Sequence, residues 1–362
     1  MDMVTSEYLA GFMDGEGSLS LARRRRPNQS TEYSVRVVVY NSNREVLEEI
    51  KSTFGGTLSA VGTRDPKWRP AFALIWTNAA AVGLLTQVAP WLRIKSCHAA
   101  ALIRFADHIR KCERRRDSGG RLLSMSDEDV RIREAFHFQL KQLNRRGASS
   151  LASAAPETVE DRGGGRDVRV TAEYLAGLVD AEGSLMISKS VDAKSHRPQY
   201  GLRIAVSSTD KSVLEDVREV YGGILVDQPA GREGWKDAYQ LVWSSGMSKR
   251  LVPVVGPHLR VKRAQAAVMK EFIEHQEAVK GTRDGRNSGR FPDEVLRIRE
   301  GLRQRIMSLN AKGPSPGREL EPVADDALLR VESAEHHPDA PSDLHAGGLD
   351  VREHRGDPEP II

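Results

Sequence analysis

"YLAGFMDGEGSL", Tyr8 to Leu19, and "YLAGLVDAEGSL", Tyr174 to Leu185, are one twelve-residue stretch written twice. Only three positions differ: Phe12/Leu178, Met13/Val179 and Gly15/Ala181. Each copy follows a threonine suited to a helix N-cap (Thr5, Thr171) and an acid suited to the first turn (Glu7, Glu173). A helix is predicted to run to about Glu16 in one copy and Glu182 in the other. Gly17 and Gly183 suit the C′ position that ends it. "SLSLAR" then alternates as a strand.

The repetition reaches well beyond the motif. "YSVRVVVYNSNREVLEEI" (Tyr33–Ile50) aligns with "YGLRIAVSSTDKSVLEDV" (Tyr200–Val217), and "FGGTL" (Phe54–Leu58) with "YGGIL" (Tyr221–Leu225). "AFALIWT" (Ala71–Thr77) aligns with "AYQLVWS" (Ala238–Ser244), and "PWLRIKS" (Pro90–Ser96) with "PHLRVKR" (Pro257–Arg263). The copies end at Gly147 and Gly313. Units this long are too large for a solenoid repeat and read as a duplicated domain, 1–147 and 172–313. The Ala/Ser/Gly-rich stretch 148–171 between them reads as a flexible tether. Within each copy the pattern is α-β-β-α-β-β-α, with further helices at the end. Tyr33, Val35, Val37 and Val39 share one face of the second strand, as do Tyr200, Leu202, Ile204 and Val206. Four antiparallel strands per copy, backed by helices on one face only, give an α+β fold.

Gly11 and Gly15, like Gly177 and Ala181, stand four apart and share a helix face. Small residues at that spacing let two helices approach closely, so the two motif helices are expected to pack on each other about a pseudo-two-fold axis. The alternative is an ordinary buried helix with incidental glycines. Asp14, Glu16, Asp180 and Glu182 fall in the last helical turn, the negative end of the macrodipole. If the helices pair, Glu16 and Glu182 repel each other, and divalent cations between them make the arrangement favourable; Mg2+ takes such hard oxygen ligands.

The net charge of +4 conceals a split. Residues 314–362 carry 12 acids and 4 bases, a tail of −8 beside a body of +12. A basic body suggests a polyanionic partner, and the Pro- and acid-rich tail reads as disordered. No apolar run is long enough to span a membrane, and the start of the chain does not resemble a secretory signal. The two cysteines, Cys97 and Cys112, read as reduced thiols without a CxxC or a histidine at metal spacing. The 40 arginines against 14 lysines suggest GC-rich coding, hence a bacterial, cytoplasmic or nucleoid-associated protein that is not secreted.

"LAGFMDGEG" and "LAGLVDAEG", at domain spacing and each followed by the α-β-β-α-β-β-α pattern, resemble the two motifs of the monomeric LAGLIDADG homing endonucleases. The resemblance covers about residues 1–313. It implies two pseudo-two-fold-related αββαββα domains forming a saddle on double-stranded DNA. It also implies metal-dependent cleavage of both strands with Mg2+ or Mn2+, and one chain acting as an internal pseudo-dimer. Glu16 and Glu182 would hold the metals, where the consensus has Asp. Lys95 and Lys262, in "PWLRIK" and "PHLRVK", would stand near the scissile phosphates, unless they are solvated lysines at helix starts. Asn41 and Ser208, where the family often has Gln, would help order the water. Asp14 and Asp180 read as structural carboxylates bonding backbone at the helix end. The "EIK" at Glu49–Lys51 reads as surface charge.

Basic residues cluster where hairpin tips are expected: Arg23, Arg24 and Arg25; Arg64, Lys67 and Arg69; Lys189, Lys194 and Arg197; Arg232 and Lys236. Such loops suit phosphate contacts. Arg36, Arg203 and Gln240 face outward from strands and suit base edges. Two other readings stay open: a non-cleaving DNA- or RNA-binding protein on this scaffold, such as an intron maturase or a regulator, and a two-fold ligand sensor.

Overall fold

The structure is a computed structural model that describes residues 3–24, 31–62, 70–112, 125–144, 169–191, 197–230, 237–280 and 291–311. The tail 314–362 and all but the last three residues of the tether 148–171 lie outside them. Arg25, Arg64, Lys67, Arg69, Lys194, Arg232 and Lys236 lie outside them as well.

The first half runs α1 (Ser6–Glu16), β1 (Gly17–Arg24), β2 (Glu32–Asn41), α2 (Arg44–Phe54), β3 (Thr57–Val61), β4 (Ala71–Thr77), α3 (Asn78–Val88), α4 (Ser96–Lys111) and α5 (Asp127–Leu143). The second repeats it as α6 (Ala172–Glu182), β5 (Gly183–Val191), β6 (Pro198–Ser208), α7 (Lys211–Tyr221), β7 (Ile224–Gln228), β8 (Ala238–Ser244), α8 (Gly246–Val255), α9 (Arg263–Ala278) and α10 (Asp293–Asn310). Two helices thus follow each αββαββα unit. The antiparallel sheets have the order β1-β2-β4-β3 and β5-β6-β8-β7.

Strand parity decides what each sheet buries. Leu19 faces Val37 and Val37 faces Trp76; in the other half Leu185 faces Ile204 and Ile204 faces Trp243. All six are buried. The indoles of Trp76 and Trp243 donate to the carbonyls of Phe54 (2.9 Å) and Tyr221 (3.1 Å), which pins each sheet to the end of its amphipathic helix, α2 or α7. The paired glycines of "FGG" and "YGG" make that junction possible. Gly55 and Gly56 have φ of 70° and 98°, and a Cβ on Gly56 would meet the Trp76 ring at 2.8 Å. One contiguous core runs through both halves, and Met1–Ser315 form one compact unit.

The ends of the motif helices depart from expectation. Gly17 and Gly183 are extended (φ −81° and −92°), not left-handed. Each helix turns directly into a strand, and glycine is required for space: a Cβ would lie 2.5 Å from the Met13 carbonyl oxygen in one half and 2.6 Å from that of Val179 in the other.

Candidate active site

Thr5 and Thr171 cap α1 and α6 by accepting from the backbone N–H of Tyr8 and Tyr174. The two helices pack on each other through their small residues. A Cβ on Gly11 would lie 2.0 Å from the Tyr174 carbonyl oxygen, and one on Gly177 would lie 2.0 Å from that of Tyr8. Nearer the C-terminal ends, a Cβ on Gly15 would lie 2.4 Å from the Ala181 Cβ. The contact has room for one methyl group there, which explains why Gly and Ala differ between the copies. The incidental-glycine alternative is excluded by these distances.

Polar contacts across the axis are reciprocal. The Tyr8 hydroxyl donates to Asp180 at 2.8 Å, and the Tyr174 hydroxyl donates to Asp14 at 2.7 Å. Both aspartates are buried and also accept from backbone N–H groups of their own half: Arg93 and Lys95 for Asp14, and Arg260, Val261 and Lys262 for Asp180. Asp14 and Asp180 are thus saturated with donors, although burial still pushes the Asp14 carboxyl up. The Arg93 side chain covers the Tyr174 ring and bonds Asp216 of α7 at 2.6 Å. Arg260 covers the Tyr8 ring and pairs with Glu49 of α2. Glu49 is therefore a cross-half partner, not loose surface charge. The sequence reading missed Arg93 and Arg260, although both recur in "PWLR" and "PHLR".

The fixed helix ends bring Glu16 and Glu182 together. The Glu182 side chain begins 3.0 Å from where a Gly15 Cβ would stand. Burial, then the Glu182 charge, pushes the Glu16 carboxyl up to about 7. Lys95 and Lys262 counter this, and neither is a solvated lysine. Lys95 Nζ donates to the carbonyls of Met13 (2.8 Å) and Asp14, and Lys262 Nζ to that of Asp180. Each lysine thus caps the C-terminal end of its own motif helix, where cations are favoured. Burial lowers both amines from their ordinary value. Two carboxylates brought side by side form a hard-oxygen set that fits a divalent cation. Asn41 and Ser208 close their strands by accepting the backbone N–H two residues on, at Asn43 and Asp210. The pairing of Gly17 with Val39 sets Asn41 two residues past the motif helix end.

Residues 9–72 match the family model described as LAGLIDADG endonuclease. Solved structures resemble the chain over both halves. One is the I-SmaMI LAGLIDADG homing endonuclease bound to cleaved DNA (TM-score 0.58, 13% identity, covering 83% of this chain and 95% of that one). Another is the LAGLIDADG homing endonuclease I-GzeII in complex with its DNA target (TM-score 0.56, 17% identity, covering 82% and 97%). The chain shares the two-domain fold of these structures. I-SmaMI was also solved on an uncleaved DNA target in the presence of calcium ions (TM-score 0.58, 13% identity, covering 83% and 98%). No curated protein matches the chain by sequence.

The outer faces of the two sheets sort the remaining basic residues. Arg36 is exposed there, paired across strands with Ser20 and Thr77. Arg24 follows on the same face, opposite Glu32. Arg203 and Gln240 share the outer face of the second sheet, but they bond each other (3.0 Å), and Gln240 also donates to Ser207. Arg23 and Lys189 lie on the opposite face from Arg36 and Arg203. Register pairs them with Tyr33 and Tyr200 on the helix-facing side. There Arg23 and Tyr33 meet Glu134 of α5, and Lys189 and Tyr200 meet Glu300 of α10. They tie the last helix of each half to its sheet. Arg197 lies beside the first residue of β6, outside that triad.

Proposed function

We propose that the chain is a site-specific DNA endonuclease that cuts both strands of a long, asymmetric target by metal-dependent phosphodiester hydrolysis. The observation that carries this reading is the crossing of α1 on α6, which sets Glu16 and Glu182 side by side at the ends of two helices of opposite halves. One carboxylate from each half suits two scissile phosphates on antiparallel strands. The +12 body and the match of the fold to proteins solved on DNA support the same partner.

Mg2+ or Mn2+ held by Glu16 and Glu182 would neutralise phosphate charge and lower the pKa of a bound water. The chain's own residues do the rest. Lys95 and Lys262 fix the last turn of each motif helix and set a positive charge beside the glutamates. Asn41 and Ser208 offer polar groups at the strand ends for ordering water, with Ser208 the shorter. Glu16 must be ionised to act as a ligand, and its carboxyl holds its proton to about pH 7. Cutting therefore rises with pH through that range, and added metal shifts the rise to lower pH by competing with the proton.

The test is an in vitro selection of cleaved duplexes from a randomised library with Mg2+. We expect a recovered site longer than ten base pairs and not palindromic. Glu16→Gln and Glu182→Gln should each abolish double-strand cutting while keeping affinity for the selected site. Full cutting in the double variant would remove the site assignment. Binding without cutting in the unmodified chain would replace it with a non-cleaving nucleic-acid-binding protein.

A further inference from the structure

We propose that His108, Cys112 and Asp129 form a transition-metal site of the zinc class, with water as fourth ligand, that ties the end of α4 to the first turn of α5 in the first half alone. The sequence reading found no histidine at metal spacing from Cys112, and the structure overturns that. His108 stands four residues before it on α4, and the two side chains share a helix face.

The geometry fits such an ion. His108 Nε2 lies 3.4 Å from Cys112 Sγ, Cys112 Sγ lies 3.0 Å from an Asp129 oxygen, and Nε2 lies 3.6 Å from that oxygen. A tetrahedral zinc with bonds of about 2.3 Å to sulfur and about 2.0–2.1 Å to nitrogen and oxygen separates its ligand atoms by about 3.3–3.6 Å. The nitrogen–sulfur and nitrogen–oxygen separations lie in that range, the sulfur–oxygen separation is shorter, and all three ligand atoms lie within 4.8 Å of one another. All three residues are half-buried, which leaves a solvent-facing position for water.

The carboxylate is held for this task. Ser126 caps α5, and its hydroxyl donates to the second oxygen of Asp129 at 2.8 Å while accepting the Asp129 N–H. One oxygen is thereby fixed, and the other faces Cys112 and His108. The guanidinium of Arg133 also reaches the cysteine sulfur. One thiolate and one carboxylate neutralise a dication, so Arg133 sits beside a neutral cluster. Sulfur and imidazole among the donors select a zinc-like ion over Mg2+, which separates this site chemically from the paired glutamates.

The second half supplies the control. His275 and Arg299 stand at the positions of His108 and Arg133, but Val279 and Val295 replace Cys112 and Asp129. That corner is closed with apolar side chains, Val295 being buried. A histidine there is common to both halves; the thiol and carboxylate are peculiar to the first.

The test is a cobalt titration of the full chain, read by the thiolate-to-cobalt charge-transfer band and the tetrahedral visible bands. One equivalent should give both. The double variant Cys112→Val, Asp129→Val copies the second half's own residues and should fold, as circular dichroism will check; it should lose both bands. Asp129→Ala alone should weaken binding at least tenfold. Cys97→Ser, and Glu16→Gln with Glu182→Gln, should leave the bands intact. The proposal is overturned by absence of a thiolate band at stoichiometric cobalt, by its survival in the valine variant, or by its loss with Cys97.

Discussion

Across the α1–α6 contact, each half does to the other what is done to it. Tyr8 reaches Asp180 as Tyr174 reaches Asp14; Arg260 reaches Glu49 as Arg93 reaches Asp216; Gly11 faces the Tyr174 carbonyl as Gly177 faces that of Tyr8. The outer faces of the two sheets share far less. Arg36 and Arg203 correspond, but Ala73 stands where the second half has Gln240, Tyr40 where it has Ser207, and Ser20 where it has Met186. A two-fold contact is self-complementary, so a change on one side strands its partner on the other. Under the proposed function the outer faces would read an asymmetric duplex, which imposes no such constraint and leaves the copies free to diverge there.

The comparison breaks first at the glycines. Gly11→Ala or Gly177→Ala drives a methyl group into the opposite helix's backbone, which has no rotamer to give. We expect a loss of about 3 kcal/mol or more, read as a lower midpoint in urea. Gly83 in α3 is the control, because a Cβ there meets nothing within 4 Å. Gly83→Ala should be neutral or stabilise by up to about 1 kcal/mol. Equal effects at Gly83 and Gly11 would show that helix propensity, and not the close approach, governs these positions.

Next come the crossing charges. Glu49 and Arg260 are mostly buried, with side chains 19% and 12% exposed. Arg260→Met removes the pair, the cover over Tyr8 and the bond to the Met3 carbonyl, and should cost about 2–3 kcal/mol. Arg44→Ala breaks an exposed i,i+4 pair with Glu48 and should cost under about 0.5 kcal/mol. Similar losses in unfolding experiments would deny the cross-half network any special weight.

The glutamates add a pH dependence of known sign. Folded Glu16 keeps its proton to about pH 7, whereas the unfolded chain releases it near 4.5. Between those values the folded state binds more protons, so this group's contribution to stability declines as pH rises. Glu16→Gln should flatten that part of the melting-temperature profile, and Mg2+ should raise the melting temperature of the unmodified chain but not of the variant. A Glu16→Gln profile parallel to that of the unmodified chain would mean that Glu16 is not held against its ordinary ionisation.

The helix pairing was legible because small residues at a spacing of four have a steric meaning in any helix. The strand faces were legible because alternation has period two. That rule also applied to Arg23: it shares parity with Leu19 and Leu21, so its inward face could have been read, and the density of arginines obscured it. Glu49 could not be placed, since an amphipathic helix assigns it to the polar face and only tertiary structure brings Arg260 there. Its sole signal was that an acid and an arginine recur in register in both copies. The role of Gly17 was hidden for a different reason. Sequence announces that a glycine is needed at a helix end, but not whether left-handed backbone or a neighbouring carbonyl requires it.

The smallest expected effect separates the two faces of one strand. Arg23 and Arg24 are adjacent, yet register turns Arg23 toward Glu134 and Arg24 toward the outer face with Arg36. If Arg24 meets a phosphate and Arg36 a base edge, Arg24→Ala lowers the log–log salt slope of DNA binding by about 0.9, whereas Arg36→Ala relaxes sequence preference. Arg23→Ala should leave that slope unchanged and cost under about 1 kcal/mol of stability, because its ion pair is more than a third exposed on both sides. Affinities of the three variants for one selected duplex across a salt series decide the matter. A slope change for Arg23→Ala equal to that for Arg24→Ala would mean that the Glu134 pair opens on binding and that the helix-facing side of β1 takes part in holding the duplex.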